Sequence, residues 1–372
     1  MAKNRVIYQS EALFVSEGAK TTGISGHEQL DRVQSANYSF NITRQDINQY
    51  GQLAKIGSIV TEAPTVSADF SYYLTNGFNE AALGFYVQGT ESANVAEGGF
   101  GSGHLADGSG RNLMMSTVEE GNDANEVPYR TGNEIIGIGN AYLSDYSVDL
   151  SVGSLPTASV SVEAANINVT QLTGVAPKFA LPAVEVSDGS SVALSGRLPE
   201  AISGLDDIVA LRPGDIAVDF ANLTGGVMSN TTSGVDGMHV QSVSISLPLS
   251  RSPLERLGTK YAYARSVDFP VTATMNINAI VNETVQGSLI DYLANDTGKT
   301  ITVRLKDPSG ANAMKFTMKG CNVVSESFSS SIGSNKSVDI TVESQIGGPN
   351  DTVNGIFVSG SYPINPFEDD TP

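Results

Sequence analysis

VQSANYSFNITRQDINQYG, residues 33–51, recurs as VQSVSISLPLSRSPLERLG at residues 240–258. The two stretches align at one constant shift of 207, and six of the nineteen pairs are identical: Val33/Val240, Gln34/Gln241, Ser35/Ser242, Ser39/Ser246, Arg44/Arg251 and Gly51/Gly258. Average residue usage gives about one identity by chance. The other pairs keep their chemistry. Tyr38, Phe40 and Ile42 stand against Ile245, Leu247 and Leu249, so both copies alternate apolar and polar as a half-buried strand does. Ile47 and Tyr50 stand against Leu254 and Leu257, three residues apart and just before a glycine. That spacing predicts one short helical turn closed by a glycine cap.

The match resumes downstream in the same order. Val66, Ala68, Phe70 and Tyr72 share one strand face, and Val271, Ala273, Met275 and Ile277 share another. The shift drifts there to 205 or 206, which predicts a slip or bulge between the segments. Asn76, Leu83 and Tyr86 match Asn282, Leu289 and Tyr292 at 206, and Gly153-Ser154 and Val162-Glu163 match Gly333-Ser334 and Val342-Glu343 at 180. Ordered self-similarity of this length reads as tandem duplication of one β-rich domain. The expected division is a first domain at 1–170, an insertion or linker at 171–210, a second domain at 211–348 and a tail at 349–372.

Each copy reads as all-β with one short helix. Residues 4–16 form an opening strand or hairpin, and GDIAVDFANL at 214–223 is set against RVIYQSEALF as its counterpart. Asn76 is a candidate cap for a helix at 77–87, whose stripe is Phe78, Ala81, Ala82, Phe85 and Tyr86. Val285, Leu289, Tyr292 and Leu293 repeat that stripe. Strands at 134–150 and 157–169 close the first copy, and strands at 314–328 and 336–345 close the second. The connections 44–63 and 251–269 are long for hairpins, and a long loop kept in both copies is expected to have a task. Residues 171–210 read as a small β-rich decoration.

Among 372 residues, 21 Lys and Arg stand against 40 Asp and Glu, a net charge of −19. Gripping nucleic acid needs clustered cations, so so acidic a chain is not expected to bind it. Its repulsion suits the lining of a passage, and equally the plain solubility of an abundant protein. Cys321 is the only cysteine, which excludes an intrachain disulfide and fits a reducing compartment. The opening MAKNRVIYQSEALFVSEG has no signal-peptide core, and no stretch reaches 18 apolar residues, which predicts no membrane span.

Catalytic chemistry is absent from the reading. Asp206-Asp207, Glu119-Glu120 and Asp369-Asp370 are adjacent pairs, and neighbours on a strand point to opposite faces. His27, His104 and His239 stand far apart without zinc-ligand spacing. The Gly-rich stretch GGFGSGHLADGSG within 88–112 lacks the strand, helix and Lys of a phosphate loop and the ligand spacing of a calcium loop, and reads as a surface loop. No catalytic, cofactor-binding or metal-ligating residue is assigned, and the chain reads as a non-enzyme.

In this combination the chain resembles the major tail tube proteins of long-tailed bacteriophages. NRVIYQSEALFVSEG, RVQSANYSFNITRQDINQYG and the echo HVQSVSISLPLSRSPLERLG carry the resemblance, which covers about residues 4–170 and 211–348. It implies two tail-tube-like domains, each a β-sandwich or barrel with a flanking helix, whose sheets join those of neighbours into a β-barrel around a channel. The implied partner is the chain itself, as a homotrimeric or homohexameric ring stacked into a tube. Six domains per ring make the expected form a pseudo-sixfold homotrimer. Other tail proteins would meet the tube ends, DNA would pass through the lumen without specific binding, and no membrane or cofactor is involved. The expected location is the virion tail, after assembly in the host cytoplasm. A tail hub or baseplate ring of duplicated tube domains, and a β-sandwich adhesin or glycan-binding module, are the alternatives.

Overall fold

The computed structural model describes residues 11–18, 27–89, 99–101, 104–105, 110–125, 130–174, 178–183, 192–196, 210–212, 216–219, 238–259, 261–281, 298–307, 310–330, 335–348 and 350–361. The first half runs β1 (Glu11–Glu17), β2 (Glu28–Gln29), β3 (Val33–Asn41), β4 (Arg44–Ile47), β5 (Gly57–Val60), β6 (Thr65–Tyr73), α1 (Phe78–Ala82), β7 (Val87–Gly89), β8 (Arg111–Thr117), β9 (Glu134–Ser151), β10 (Thr157–Ala164) and β11 (Ile167–Gln171). A hairpin of β12 (Phe179–Ala183) and β13 (Val192–Gly196) follows. The second half runs β14 (Ile216–Asp219), β15 (Met238–Pro248), β16 (Arg251–Leu254), β17 (Ala264–Val267), β18 (Thr272–Val281), β19 (Lys299–Lys306), β20 (Asn312–Ser329), β21 (Ser337–Gln345) and β22 (Gly355–Gly360). The class is all-β.

The two halves have the same strand order and the same register. β3, β6, β10 and β9 pair in that order, and so do β15, β18, β21 and β20. Ser35 lies opposite Ser71 and Ser242 opposite Asn278, each residue advanced by 207. Ser161 lies opposite Asp145 and Thr341 opposite Ser325, each advanced by 180. The irregularities recur as well. Gln34 and Gln241 are the extra residues of matching bulges, and their side chains donate to the Arg32 and His239 carbonyls respectively. Ser144 and Val324 are extra at a second matching bulge, and a third falls between Arg111 and Leu113 and again between Lys299 and Ile301. A bulge is a local design feature, so three at equivalent positions tie the halves together more tightly than strand count does.

The drifting shift is corrected by these registers. β18 continues β6 at 207, setting Val66, Ala68, Phe70 and Tyr72 against Ala273, Met275, Ile277 and Ala279, all buried. A slip of two residues leaves every side chain on its own face, so alternation alone cannot detect it. The same holds for the opening strand. β14 answers β1 from Glu11 at Ile216, four residues away from the alignment of GDIAVDFANL with RVIYQSEALF.

The short helical turn expected near Ile47 and Leu254 is absent. β4 pairs with β5 and β16 with β17 as antiparallel hairpins, again at the 207 shift, with left-handed Gly51 (φ 86°) and Gly258 (φ 91°) in their turns. The helix expected at 77–87 is shorter. It ends at Ala82, and left-handed Gly84 (φ 93°) turns the chain into β7. Its N-cap is left-handed Gly77 (φ 93°) rather than Asn76, whose side chain instead accepts a hydrogen bond from the Phe78 N–H at 3.0 Å just before the helix. The helix's counterpart in 282–297, the chain before Glu11 and residues 362–372 lie outside the described residues, and the tail expected at 349–372 is corrected in its first part, where Gly355–Gly360 is the buried strand β22 paired with β20 and β7. The described part of the Gly-rich stretch is not a surface loop: Gly99, Phe100, Gly101 and His104 are buried.

β9 and β20, eighteen residues each, build a second layer. Their first halves pair with β8 and β11, and with β19 and β22; their second halves join the central sheet. The layer change falls at left-handed residues in equivalent places, Asn140 (φ 50°) and Gly320 (φ 60°). One apolar core fills the space between layers, from Leu13, Phe70 and Leu113 to Ile301, Phe316 and Val358. The β12–β13 hairpin closes a smaller cluster, in which Phe179 and Leu181 meet Phe14, Met114 and Ile135.

Candidate assembly interface

Eight strands form the central sheet in the order β20, β21, β18, β15, β9, β10, β6, β3. Pairs directly across an antiparallel ladder share a face. On one face stand the core residues. The other is a field of small polar side chains: Ser35, Ser39, Ser67, Asp69, Ser71, Ser159, Ser161, Ser147, Asp149 and, in the second half, Ser242, Ser244, Ser246, Thr274, Asn276, Asn278, Asp339 and Thr341. Hydrogen bonds cross the strands there, with Ser161 donating to Asp69 (2.6 Å), Asn278 to Asp339 (2.6 Å) and Thr341 to Asn276 (2.9 Å). None of β3, β6, β10, β15, β18, β21, residues 142–151 or residues 322–329 contains a Lys or Arg. Six carboxylates lie on this face: Asp69, Asp145, Asp149, Glu163, Asp339 and Glu343. Burial lifts the Asp145 carboxyl above its ordinary range.

The halves are fused through β9 and β15, which pair antiparallel from Ser242–Ser151 to Pro248–Asp145. At this joint Val243, Ile245 and Leu247 are buried on one side and Tyr146, Val148 and Leu150 on the other. Among the described residues the sheet then stops at both ends. β3 is open along one side, with Tyr38 44% and Phe40 62% exposed. The second half of β20 is open too, with Val324 58% and Phe328 39% exposed. Unpaired edges with apolar side chains are what folded chains normally avoid.

The β16–β17 hairpin is anchored on the first half. Arg251 and Arg265 lie over the Tyr142 ring at 5.2 and 5.7 Å, Arg251 donates to the His104 carbonyl (2.9 Å), and Arg265 faces Glu163 at 3.6 Å. The β4–β5 hairpin carries Ile47, Tyr50, Leu53, Ile56 and Ile59, all exposed, with Lys55 paired to Asp46 at 2.9 Å.

Where the halves meet, a buried polar group joins distant strands. Tyr72 and Tyr146 donate their hydroxyls to Glu80 at 2.9 and 3.1 Å. Burial raises the Glu80 carboxyl, and burial with the Glu80 charge pushes both phenols well above their usual range. Phe85 stacks on Phe100 with ring centres 4.2 Å apart, and His104 meets the Phe85 edge at 4.6 Å. Sequence reasoning offered no signal for this cluster, because its members are isolated in the chain. Cys321 is fully buried at the position equivalent to Ala141, and burial pushes its thiol up to about 11. That is the state of a packing residue, not of a nucleophile.

Among the described residues no group of three His, Cys, Asp or Glu is placed to hold a metal ion, and no helix is long and apolar enough to cross a membrane. No protein-family model and no curated protein matches the chain. The arrangement itself therefore has to speak for function: a polar sheet face whose own strands carry no cation, met at Glu163 by Arg265 of the β16–β17 hairpin, and bounded by two open edges.

Proposed function

We propose that the chain is a structural subunit of a phage tail tube, made of two copies of one sheet domain that assemble head to tail into a ring. The observation that carries this reading is the β9–β15 joint, where one half already completes the sheet of the other. A chain that has one such joint inside it and an open copy of each joint edge outside it can repeat the joint until the ring closes. Three chains bring 24 central strands, eight from each. At the usual strand spacing and tilt, such a barrel is roughly 45 Å across its backbone, wide enough for a nucleic-acid duplex. The polar face then lines the lumen, where carboxylates in excess over cations repel phosphate and keep DNA sliding. The core face carries the second layer outside, and the exposed hairpins meet the next ring. In this reading the protein is not an enzyme and acts in the virion tail.

The test is size and shape in solution. Light scattering of the purified chain at rising concentration is expected to show trimers passing to long polymers, with negative-stain images of hollow tubes. A chain that stays monomeric at all concentrations, without rings in the images, overturns the proposal.

A further inference from the structure

The internal joint also specifies the contact between chains, strand register included. β15 stands to β3 at a shift of 207, and residues 145–149 of β9 stand to 325–329 of β20 at 180. In the joint, Ser246 faces Ser147, Ile245 faces Val148, Leu247 faces Tyr146 and Pro248 faces Asp145. We infer that β3 of one copy pairs antiparallel with the second half of β20 of the next, with Ser39 opposite Ser327, Tyr38 opposite Phe328, Phe40 opposite Glu326 and Asn41 opposite Ser325. The partner is a second copy of this chain, and the inference rests on the ring reading above.

Four observations converge on this pairing. Both edges are free among the described strands, and each is the repeat equivalent of a strand that is paired inside the chain. Three of the residues that the joint buries have exposed apolar counterparts at the edges: Ile245 and Leu247 are 1% and 0% exposed, Tyr38 and Phe40 44% and 62%. Val148 is fully buried, while its counterpart Phe328 is 39% exposed. The bulges also agree. The joint sits beside the bulges at Gln241 and Ser144, and the open edges carry the same bulges at Gln34 and Val324, so their curvature already matches. The polar faces continue across the contact as well, because Ser39 and Ser327 both belong to the lumen-side field.

Disulfide trapping tests the register. In a Cys321→Ala background, which places at 321 the residue that packs at equivalent position 141, Ser39→Cys is combined with Ser327→Cys, and separately Asn41→Cys with Ser325→Cys. Mild oxidation is expected to give covalent dimers and trimers in non-reducing gels for both combinations. Asn41→Cys with Ser329→Cys is the control, since four residues along a strand displace the thiols by about 13 Å, beyond disulfide reach. Phe40→Asp, at an exposed position, is expected to leave the monomer folded by circular dichroism and to weaken ring formation roughly 100-fold or more. Rings that form while only the control links, or while no combination links, overturn this register and leave the ring reading standing. Rings that survive Phe40→Asp undiminished overturn it too. Absence of rings in the unaltered protein removes both proposals together.

Discussion

Asn140 and Gly320 hold the same left-handed backbone at the point where β9 and β20 leave one layer for the other. Asn tolerates this region better than other residues with a β-carbon, which explains how two different residues serve one geometry. Their surroundings differ. A β-carbon on Gly320 would overlap the Asn354 side-chain oxygen and crowd the Val353 carbonyl. Asn140→Gly is therefore expected to change unfolding free energy by less than about 1 kcal/mol, and Gly320→Ala to cost about 2 kcal/mol or more. Urea midpoints of the two variants check the asymmetry, and equal losses would remove the argument. His104 makes a second residue-scale case. Burial first, then the Arg111 and Arg251 charges, hold its pKa well below 6.5, so it is neutral in the folded chain. As pH falls through 6.5 the unfolded chain takes up a proton that the folded chain refuses. The contribution is complete above 6.5 and is lost as pH falls toward the lowered value. Glu80 runs the other way. Its pKa is raised by burial, so its contribution is complete below 4.5 and is lost as pH rises through the raised value. Unfolding midpoints at pH 7 and pH 5 are expected to fall less in His104→Phe than in the parent, and identical slopes would show that His104 does not titrate this way.

The paired hairpins show what element-scale reading can and cannot reach. Both lie at one shift and turn on a left-handed glycine, and that glycine was visible in the sequence as Gly51 and Gly258. The helical turn before it was a misreading with a physical cause. Ile47 ends a strand and Tyr50 begins the turn, so their spacing of three comes from a hairpin bend. The stripe from Phe78 to Tyr86 misled similarly, because the helix ends at Ala82 and Phe85 and Tyr86 are buried in the irregular stretch that leads into β7. Alternation in β3, β6, β15 and β18 was legible because half-buried strands impose a period of two; the exact shift was not, because that period hides a two-residue slip. The β9–β15 joint left no sequence mark, since a pairing between distant strands is written in edges and bulges. For the β4–β5 hairpin, a two-stranded ribbon with six exposed large apolar side chains, Val60 among them, is marginal in water by itself and needs a partner surface. Deleting residues 45–60 is expected to keep rings or monomers soluble and to abolish long tubes in negative stain. Tubes of normal length from that variant would refute a stacking role.

At the scale of the whole molecule, charge separates a conduit from a binder. The chain carries −19, and the strands of the central sheet bring carboxylates and no cations to the polar face. Acidity alone would serve solubility anywhere on the surface, so the proposed lumen has to be tested on the carboxylates of this one face. Asp69, Asp149 and Asp339 are exposed on that face, away from the joint's buried side chains and from both hairpins. Replacing all three by Lys shifts the net charge from −19 to −13 and puts nine ammonium groups into a ring of three chains. Assembly is expected to survive, because the altered side chains leave the apolar core and the strand ladders untouched. Duplex retention is expected to change: tubes of the variant should carry labelled DNA through sedimentation at low salt, and release it as salt rises with a slope of several counterions, whereas parent tubes should carry none. DNA held equally by parent tubes would contradict a non-sticking lumen, and variant tubes that never hold DNA would mean that this face does not border the passage.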